Sequence, residues 1–292
     1  MPPGKGPFPA LLLLPGSGPT DRDGNSGMGI QTDILKQIAE SLALKGVASL
    51  RFDKRAIARY SLQWPKDLAS LNQFFSYRNF VDDAKAAYAD LRSQPGVDPS
   101  RCGILGHSEG GLFALQIGSE LAGRPDAPNK LLLLSTAGRP MGEVIHDQLK
   151  RRLSGPGVPQ ELGDRLLRYS DDACAALTAG RPLPPNTPAE LKALYNPTVI
   201  DILTNYVRID PAELAKKCVG PVLVLNGGDD TQVSPTLDAP RLARALRSRD
   251  KGAVKMVIVP GASHNLKSTA QQGPDAFGGT VVPEAMEAIV GW

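Results

Sequence analysis

The sequence contains little of what marks specialised protein classes. Its three cysteines, Cys102, Cys174 and Cys218, are too widely spaced to suggest a zinc site or a disulfide framework, so we interpret them as small apolar residues. The apolar run at residues 10–14 is too short to cross a membrane and is flanked by proline and glycine. We therefore expect no membrane span, and no signal-peptide pattern is visible.

An excess of charge is also lacking. The chain carries 33 basic and 30 acidic residues, a formal net charge of +3. This small and scattered charge does not indicate a nucleic-acid partner. A chain of 292 residues can form one large α/β domain or two small ones. Its 41% content of hydrophobic residues is ordinary for a globular protein. We expect a cytoplasmic protein, although a first strand this near the start leaves open a natural leader upstream.

Short apolar runs recur along the chain and predict buried parallel strands. Each run is bounded by glycine, proline or aspartate, as expected for a sheet covered on both faces. The predicted strands are residues 9–14, 47–52, 102–105, 130–135, 221–226 and 254–259. Apolar residues at helical spacing predict helices between them at residues 32–45, 81–92, 109–121, 236–247 and 283–290. This alternation indicates an α/β fold with a mostly parallel sheet of about six strands flanked by helices.

Residues 141–218 interrupt the alternation before the penultimate strand. They contain leucines at helical spacing and a proline-rich stretch at residues 181–185, with no clear strand. The segment is far longer than an ordinary crossover, so we interpret it as a helical cap or lid. The predicted domains are therefore a core of residues 1–140 and 219–292 and a cap of residues 141–218.

The pentapeptide Gly106-His107-Ser108-Glu109-Gly110 lies between a predicted strand and a predicted helix. In that setting a G-x-S-x-G pattern is typical of a nucleophilic serine, because the two glycines let strand and helix pass close together. A purely structural glycine turn is the alternative. The match occurs once in the chain and has the expected flanks, so Ser108 is the candidate nucleophile.

A serine nucleophile needs a base, and the chain has three histidines. His107 adjoins the nucleophile and is interpreted as a packing or hydrogen-bonding residue, while His146 is interpreted as a surface residue of the cap. His264 follows the last strand, and parallel strands place such loops at the edge where Ser108 lies. His264 is therefore the candidate base. Either Asp229 or Asp230, after the penultimate strand, could orient its ring.

Two backbone N–H groups are predicted to stabilise an oxyanion. One belongs to Glu109, directly after the nucleophile. The other comes from the glycine-rich loop after the first strand, residues 15–19, where we favour Ser17. A phosphate-binding loop is the competing interpretation, but neither G-x-G-x-x-G nor a G-K-[ST] ending is present. No cofactor or metal is indicated.

Together these stretches resemble the α/β-hydrolase superfamily, and more narrowly the bacterial serine esterases related to the dienelactone-hydrolase and S33-peptidase-like groups. The order Ser108, Asp230, His264 is the order of that fold. The matching stretches are residues 14–24, 51–55, 106–111, 225–233 and 260–266. The resemblance places the acid two residues before the Gln-Val of its loop, which selects Asp230. It implies hydrolysis of a carboxylic ester through an acyl-serine intermediate, without a cofactor.

Three departures from the family pattern stand out. Pro15 replaces the usual histidine before the oxyanion loop, which affects how that loop is tethered. Ala56 and Ala58 occupy positions where the family has glycine, and because alanine resists positive φ we expect this turn to be rearranged. Two strands that normally precede the oxyanion loop have no room here. The strand at residues 47–52 would then lie at a sheet edge, where pairing with a second copy would give a homodimer.

The substrate expected from this pattern is a small ester with a short or medium acyl chain. Candidate substrate-binding residues are Tyr195, Tyr206, Phe74 and Phe75, although each could equally belong to the core of the cap. A prolyl-type aminopeptidase would need acidic cap residues, for which Glu143 and Asp201 are the hints. A thioesterase or perhydrolase would use the same three residues. A non-enzymatic binding scaffold would be expected to lack one of them.

Overall fold

The computed structural model of the protein describes residues 1–27, 29–250 and 252–292. Within these residues one six-stranded, all-parallel sheet is present, in the order β2-β1-β3-β4-β5-β6. The strands are β1 (Phe8–Leu14), β2 (Ala48–Leu50), β3 (Val97–His107), β4 (Leu131–Leu134), β5 (Val222–Gly227) and β6 (Val254–Val259). The predicted fold class is confirmed, because every predicted strand overlaps an observed one.

The helices fill the intervals between strands, as the alternation predicts. They are α1 (Ile34–Leu44), α2 (Leu68–Phe74), α3 (Tyr77–Ser93), α4 (Glu109–Glu120), α5 (Met141–Leu153), α6 (Gln160–Thr178), α7 (Ile200–Arg208), α8 (Pro211–Lys217), α9 (Asp238–Arg247), α10 (Thr269–Gln272) and α11 (Pro283–Val290). Short 3₁₀ turns cover Ala58–Gln63, Ala189–Leu191 and Pro197–Val199. Helix α1 ends before Gly46, which adopts φ 76° and ends the helix without a Cβ penalty.

The register of the sheet aligns the carboxyl ends of the strands. Leu14 of β1 lies opposite Gly106 of β3, and Leu134 of β4 lies opposite both His107 and Leu225. The loops that leave β1, β3 and β5 therefore start at one edge of the sheet. This alignment follows from parallel pairing and decides where the site is built.

One large apolar core holds α1 and α11 against the sheet. Helix α1 contributes Leu35, Ile38 and Leu42, and α11 contributes Ile289, all packed with sheet residues such as Leu11. Burying each such side chain contributes about 1.5–3 kcal/mol. The three cysteines are buried free thiols, which agrees with their interpretation as small apolar residues.

The chain divides into two compact units. The sheet unit consists of Met1–Gln63, Val81–Gly138 and Pro211–Trp292, and the helical unit of Trp64–Phe80 and Arg139–Asp210. This division differs from the predicted boundaries, since residues 64–80 belong to the helical unit and α8 to the sheet unit. Helices α5, α6 and α7 lie in the helical unit, between β4 and β5 in the chain. Its role as a lid remains a prediction.

The helical unit has its own core. Tyr195 lies at its centre with 2% exposure, and its hydroxyl is 2.6 Å from Oγ of Ser170. Ile145, Leu166 and Leu203 pack in the same cluster. Because this core contains several large buried side chains, the unit has its own source of stability.

Strand β2 lies at one end of the sheet, as the sequence predicts. It spans three residues and pairs with β1 through Ala48, Ser49 and Leu50. A short edge strand offers little backbone to another chain. The homodimer suggested by this edge remains a prediction.

Candidate active site

Ser108 occupies a tight turn between β3 and α4. Its φ of 54° and ψ of −118° lie in a region of backbone conformation that residues other than glycine seldom adopt, so the turn is strained. A Cβ at Gly106 would lie 2.2 Å from the carbonyl oxygen of Gly110, and one at Gly110 would lie 2.4 Å from that of Leu14. Both flanking glycines are therefore required by close backbone approach, as the sequence pattern suggests.

His264 and Asp230 form a buried hydrogen-bonded pair. Nδ1 of His264 lies 2.9 Å from Oδ2 of Asp230, and both side chains are almost fully buried. The ionised carboxylate can only accept, so Nδ1 carries a proton, and in the neutral ring Nε2 is then the nitrogen with the lone pair that a base needs. The pair thus has the geometry of a base with its orienting acid.

Asp230 is held in its ionised form. Its Oδ1 accepts the backbone N–H groups of Gln232 at 2.8 Å and Val233 at 2.9 Å. Burial by itself would raise the pKa of Asp230, but the His264 ring and these two donors hold that pKa below its ordinary value. The carboxylate is therefore available to stabilise a positive charge on the His264 ring.

The neighbouring Asp229 has a different role. Its Oδ2 accepts a hydrogen bond from the Thr269 hydroxyl at 2.6 Å. The residues alone leave either aspartate possible as the acid, and the structure places Asp230, not Asp229, against His264.

His107 joins the turn of Ser108 to the loop of His264. Its Nε2 lies 3.0 Å from the main-chain carbonyl oxygen of His264, which can only accept, so Nε2 is the protonated nitrogen. Burial, and secondarily the nearby His264 ring, lower the pKa of His107 to about 3, so its own ring is neutral. The prediction that His107 is a hydrogen-bonding residue is confirmed.

The glycine-rich loop after β1 passes beside Ser108. A Cβ at Gly16 would lie 3.3 Å from Cβ of Ser108 and 3.2 Å from Nδ1 of His107. Ser17, the next residue, is exposed, and Glu109 begins α4 directly after Ser108. The structure therefore puts Ser17 and Glu109 on the two segments that flank Ser108, and their role as oxyanion donors remains a prediction.

Lys54 is a site residue that the sequence analysis did not single out. Its ammonium is 2.6 Å from Oε2 of Glu109, 2.5 Å from the carbonyl oxygen of Gly16 and 3.3 Å from that of Gly18. Lys54 and Glu109 are buried, with 5% and 9% exposure. The available signal was a run of charges directly after a strand, because buried charges require partners.

Asp53 makes a second connection to the same loop. It accepts the backbone N–H of Arg22 at 3.0 Å and forms a two-pronged ion pair with the Arg22 guanidinium. The Arg22 hydrogen bond outweighs burial and holds the pKa of Asp53 below its ordinary value. The turn after β2 therefore contacts the loop at two points, through Lys54 at Gly16 and through Asp53 at Arg22.

The expectation that the turn after Lys54 is rearranged is wrong. Ala56 has φ 60° and Ala58 has φ 46°, so both alanines adopt the left-handed conformation that glycine favours. The ion pairs of Asp53, Lys54 and Arg55 on this segment hold the backbone there. The backbone strain at these alanines persists because the surrounding charged contacts fix the turn.

The four aromatic candidates for substrate binding all lie in the helical unit. Tyr195 is a core residue of that unit, and Tyr206 packs edge-on against Tyr77 at 5.8 Å between ring centroids. Phe74 and Phe75 are half-buried and contact each other edge-on at 5.0 Å. For Tyr195 the structure favours the alternative of a core residue.

Asp201 and His146 of the helical unit also have structural partners. Asp201 accepts the backbone N–H of Tyr77 at 2.9 Å, and His146 lies 2.8 Å from Asp171 on a half-exposed surface. Glu143 is exposed in the first turn of α5. The ammonium-binding role considered for Asp201 therefore competes with its hydrogen bond to Tyr77.

Two features are absent from the described residues. Residues 1–27, 29–250 and 252–292 contain no group of three or more histidine, cysteine or acidic side chains placed to hold a metal ion. Among the same residues, none of the helices has the length and apolar character needed to span a bilayer.

Known proteins resemble this chain in sequence and in fold. A sequence model described as "Alpha/beta hydrolase family" matches residues 11–277. Esterase EstD of Thermotoga maritima is 30% identical over 239 residues, which cover 80% of this chain and 49% of that protein. The chain thus spans about half the length of this relative.

Solved structures show the same fold. Est1E from Butyrivibrio proteoclasticus with bound ferulic acid aligns with a TM-score of 0.54 at 16% identity, covering 91% of this chain and 85% of that one. The esterase domain of a Rhodothermus marinus protein aligns with a TM-score of 0.51 at 19% identity, covering 91% and 82%.

Proposed function

Because this chain belongs to the alpha/beta hydrolase family, we propose that it is a serine esterase that cleaves carboxylic esters through an acyl-serine intermediate. The observation that carries the proposal is the buried pair of Asp230 and His264 beside the strained turn of Ser108. The similarity to Esterase EstD, at 30% identity, supports esters as the substrate class.

In the proposed mechanism, His264 takes the proton of Ser108 as the serine oxygen attacks the ester carbonyl. Asp230 keeps the His264 ring in the required tautomer and stabilises its positive charge. The backbone N–H groups of Ser17 and Glu109 stabilise the tetrahedral oxyanion, at roughly 3–4 kcal/mol per donor in comparable enzymes. His264 then protonates the leaving alcohol, and water releases the acyl group by the same steps.

Short or medium acyl esters are the proposed substrates. A thioesterase would use the same three residues, and a prolyl-type aminopeptidase would also need an acid to hold the substrate ammonium. The hydrogen bond from the Tyr77 N–H to Asp201 weighs against that second alternative.

The test is labelling and turnover of the wild type beside Ser108→Ala. We expect a fluorophosphonate probe to label the wild type and not the variant, and hydrolysis of p-nitrophenyl butyrate to disappear with the label. Ser119→Ala is the matched control, because its hydroxyl bonds only its own helix at Gln116 among the contacts described. Hydrolysis by Ser108→Ala at the wild-type rate would contradict the proposal. A panel of p-nitrophenyl esters, an acyl-CoA and a proline anilide separates the substrate classes.

A further inference from the structure

The ammonium of Lys54 occupies a buried position between two parts of the candidate site. It contacts the carboxylate of Glu109, at the start of α4, and the carbonyl oxygens of Gly16 and Gly18. An ammonium has three N–H donors, and these three acceptors surround it. Lys54 therefore ties the loop after β1 to the residue that follows Ser108.

Burial of these charges has a specific consequence. An isolated ammonium or carboxylate is very unfavourable in the interior, and the ion pair between Lys54 and Glu109 lowers that cost for both. The ion pair accounts for the burial of both side chains, but it does not require Lys54 to contact the loop carbonyls. Those two contacts need a separate reason.

The geometry of the peptide unit provides that reason. In a planar trans peptide the C=O of one residue and the N–H of the next point in opposite directions. Holding the Gly16 oxygen at 2.5 Å from the Lys54 ammonium therefore turns the N–H of Ser17 away from Lys54. Gly16 lies against Ser108, where a Cβ would approach the serine Cβ to 3.3 Å. The tether thus fixes the direction of the N–H proposed as an oxyanion donor.

The loop has limited means to hold itself. Pro15 has no N–H and no side-chain donor, so it donates no hydrogen bond that would anchor the residues that follow. Within the loop, the Thr20 hydroxyl donates to the Gly16 oxygen at 3.0 Å, but this residue is only half-buried. The charged donor of Lys54 makes the shorter and stronger contact.

We propose that Lys54 is a positioning residue for the hydrolysis assigned to Ser108, because it fixes the Gly16–Ser17 peptide so that the Ser17 N–H faces the developing oxyanion. This inference rests on the proposed function. Lys54 acts through the loop backbone and does not touch the substrate. Glu109 balances the charge of Lys54 and so allows it to remain buried.

The experiment compares full-length wild type, Lys54→Met and the double variant Lys54→Met/Glu109→Gln. Methionine keeps the length of the side chain without the donor, and the double variant also removes the carboxylate that faced the Lys54 ammonium. Lys130→Met is the matched control, since Lys130 also donates to a main-chain oxygen, that of Trp292, and lies directly before the amino end of β4, whereas the candidate site lies at the carboxyl ends of the strands. Each protein is assayed for hydrolysis of p-nitrophenyl butyrate, thermal unfolding and inhibition by a trifluoromethyl ketone.

The ketone is informative because the serine adds to it and forms a tetrahedral oxyanion. We expect Lys54→Met to lower kcat about 100-fold with KM changed by less than about threefold. The inhibition constant of the ketone should rise in proportion to the loss in kcat/KM. The unfolding temperature should fall in Lys54→Met and recover in the double variant, while kcat stays low in both.

Three outcomes would overturn the inference. If the double variant regains kcat together with its unfolding temperature, Lys54 has only a structural role. If Lys54→Met keeps the wild-type kcat or changes KM alone, the tether does not act on the oxyanion. If the wild type shows no turnover that depends on Ser108, the proposed function fails and the inference fails with it. An active wild type with an equally active Lys54→Met overturns the inference alone.

Discussion

Nε2 of His107 donates a hydrogen bond to the main-chain carbonyl oxygen of His264 at 3.0 Å, so the residue before Ser108 holds the loop that carries His264. His107→Leu removes the donor and leaves a buried carbonyl without it. We expect a loss of about 1–3 kcal/mol in the free energy of unfolding, measured by urea titration. A misplaced His264 should also lower kcat by about tenfold or more. His107→Gln, which keeps an N–H donor, is the control, and equal losses in both variants would argue against the hydrogen bond as the cause.

The neutral state of His107 predicts a pH dependence of stability. The pKa of His107 is about 3 in the folded protein, against about 6.5 in an unfolded chain. As the pH falls through 6.5 the unfolded chain binds a proton that the folded protein does not, so stability is lost progressively down to pH 3. The slope is at most about 1.4 kcal/mol per pH unit. Urea titrations between pH 6.5 and 4.5 should show this slope in the wild type and a smaller one in His107→Gln.

The two adjacent aspartates predict opposite kinetic results. Asp230→Asn keeps the shape of the side chain but removes the carboxylate that fixes the tautomer of His264, so we expect kcat to fall by about 10³–10⁴. Asp229→Asn changes a carboxylate that contacts Thr269, and should alter kcat by less than about threefold. Steady-state ester hydrolysis measures both. A larger effect at residue 229 than at residue 230 would show that Asp229, and not Asp230, is the acid.

The left-handed alanine at position 58 predicts a stabilising substitution. Ala58 is exposed at φ 46°, a conformation that costs about 1–2 kcal/mol for alanine and little for glycine. Ala58→Gly should therefore raise the free energy of unfolding by about 0.5–1 kcal/mol, after the extra freedom of the unfolded chain is subtracted. Ala86→Gly, on the exposed side of α3, should instead lower it by about 1 kcal/mol. Equal signs for the two changes in urea titration would contradict the assignment of strain.

The position of Tyr195 predicts a change in stability without a change in catalysis. Tyr195→Phe removes the hydroxyl bonded to Ser170 and should cost about 1–2 kcal/mol. Ser170→Ala should lower the free energy of unfolding by a similar amount. The double variant should lose less than the sum of the two, because both changes remove the same hydrogen bond. If Tyr195→Phe lowers kcat/KM for p-nitrophenyl esters and leaves stability unchanged, Tyr195 binds substrate after all.

Local pattern was sufficient for the elements that carry it. Short apolar runs predicted all of the strands described, but β3 was predicted from residue 102 and begins at Val97. Its first part contains Asp98, Pro99 and Ser100, which have no apolar pattern and form strand because Val97 pairs with Phe8. Such pairing depends on distant residues, and local composition cannot reveal it.

Long-range charge pairing explains the rest of what sequence reasoning missed. Lys54 and Glu109 are separated by 55 positions, and Asp53 and Arg22 by 31. Each looks like an ordinary surface charge until the fold brings its partner to it. The motifs around Ser108, Asp230 and His264 could be identified because their chemistry is tied to positions next to strand ends.

The helical unit is assembled from two separate segments of the chain, and this matters for protein engineering. Residues 64–80 belong to it together with residues 139–210, and the Tyr77 N–H donates a hydrogen bond to Asp201. A chimera that transplants only residues 139–210 from another protein would deprive Tyr77 of that acceptor. Grafting this unit intact therefore requires both segments to be exchanged as one piece.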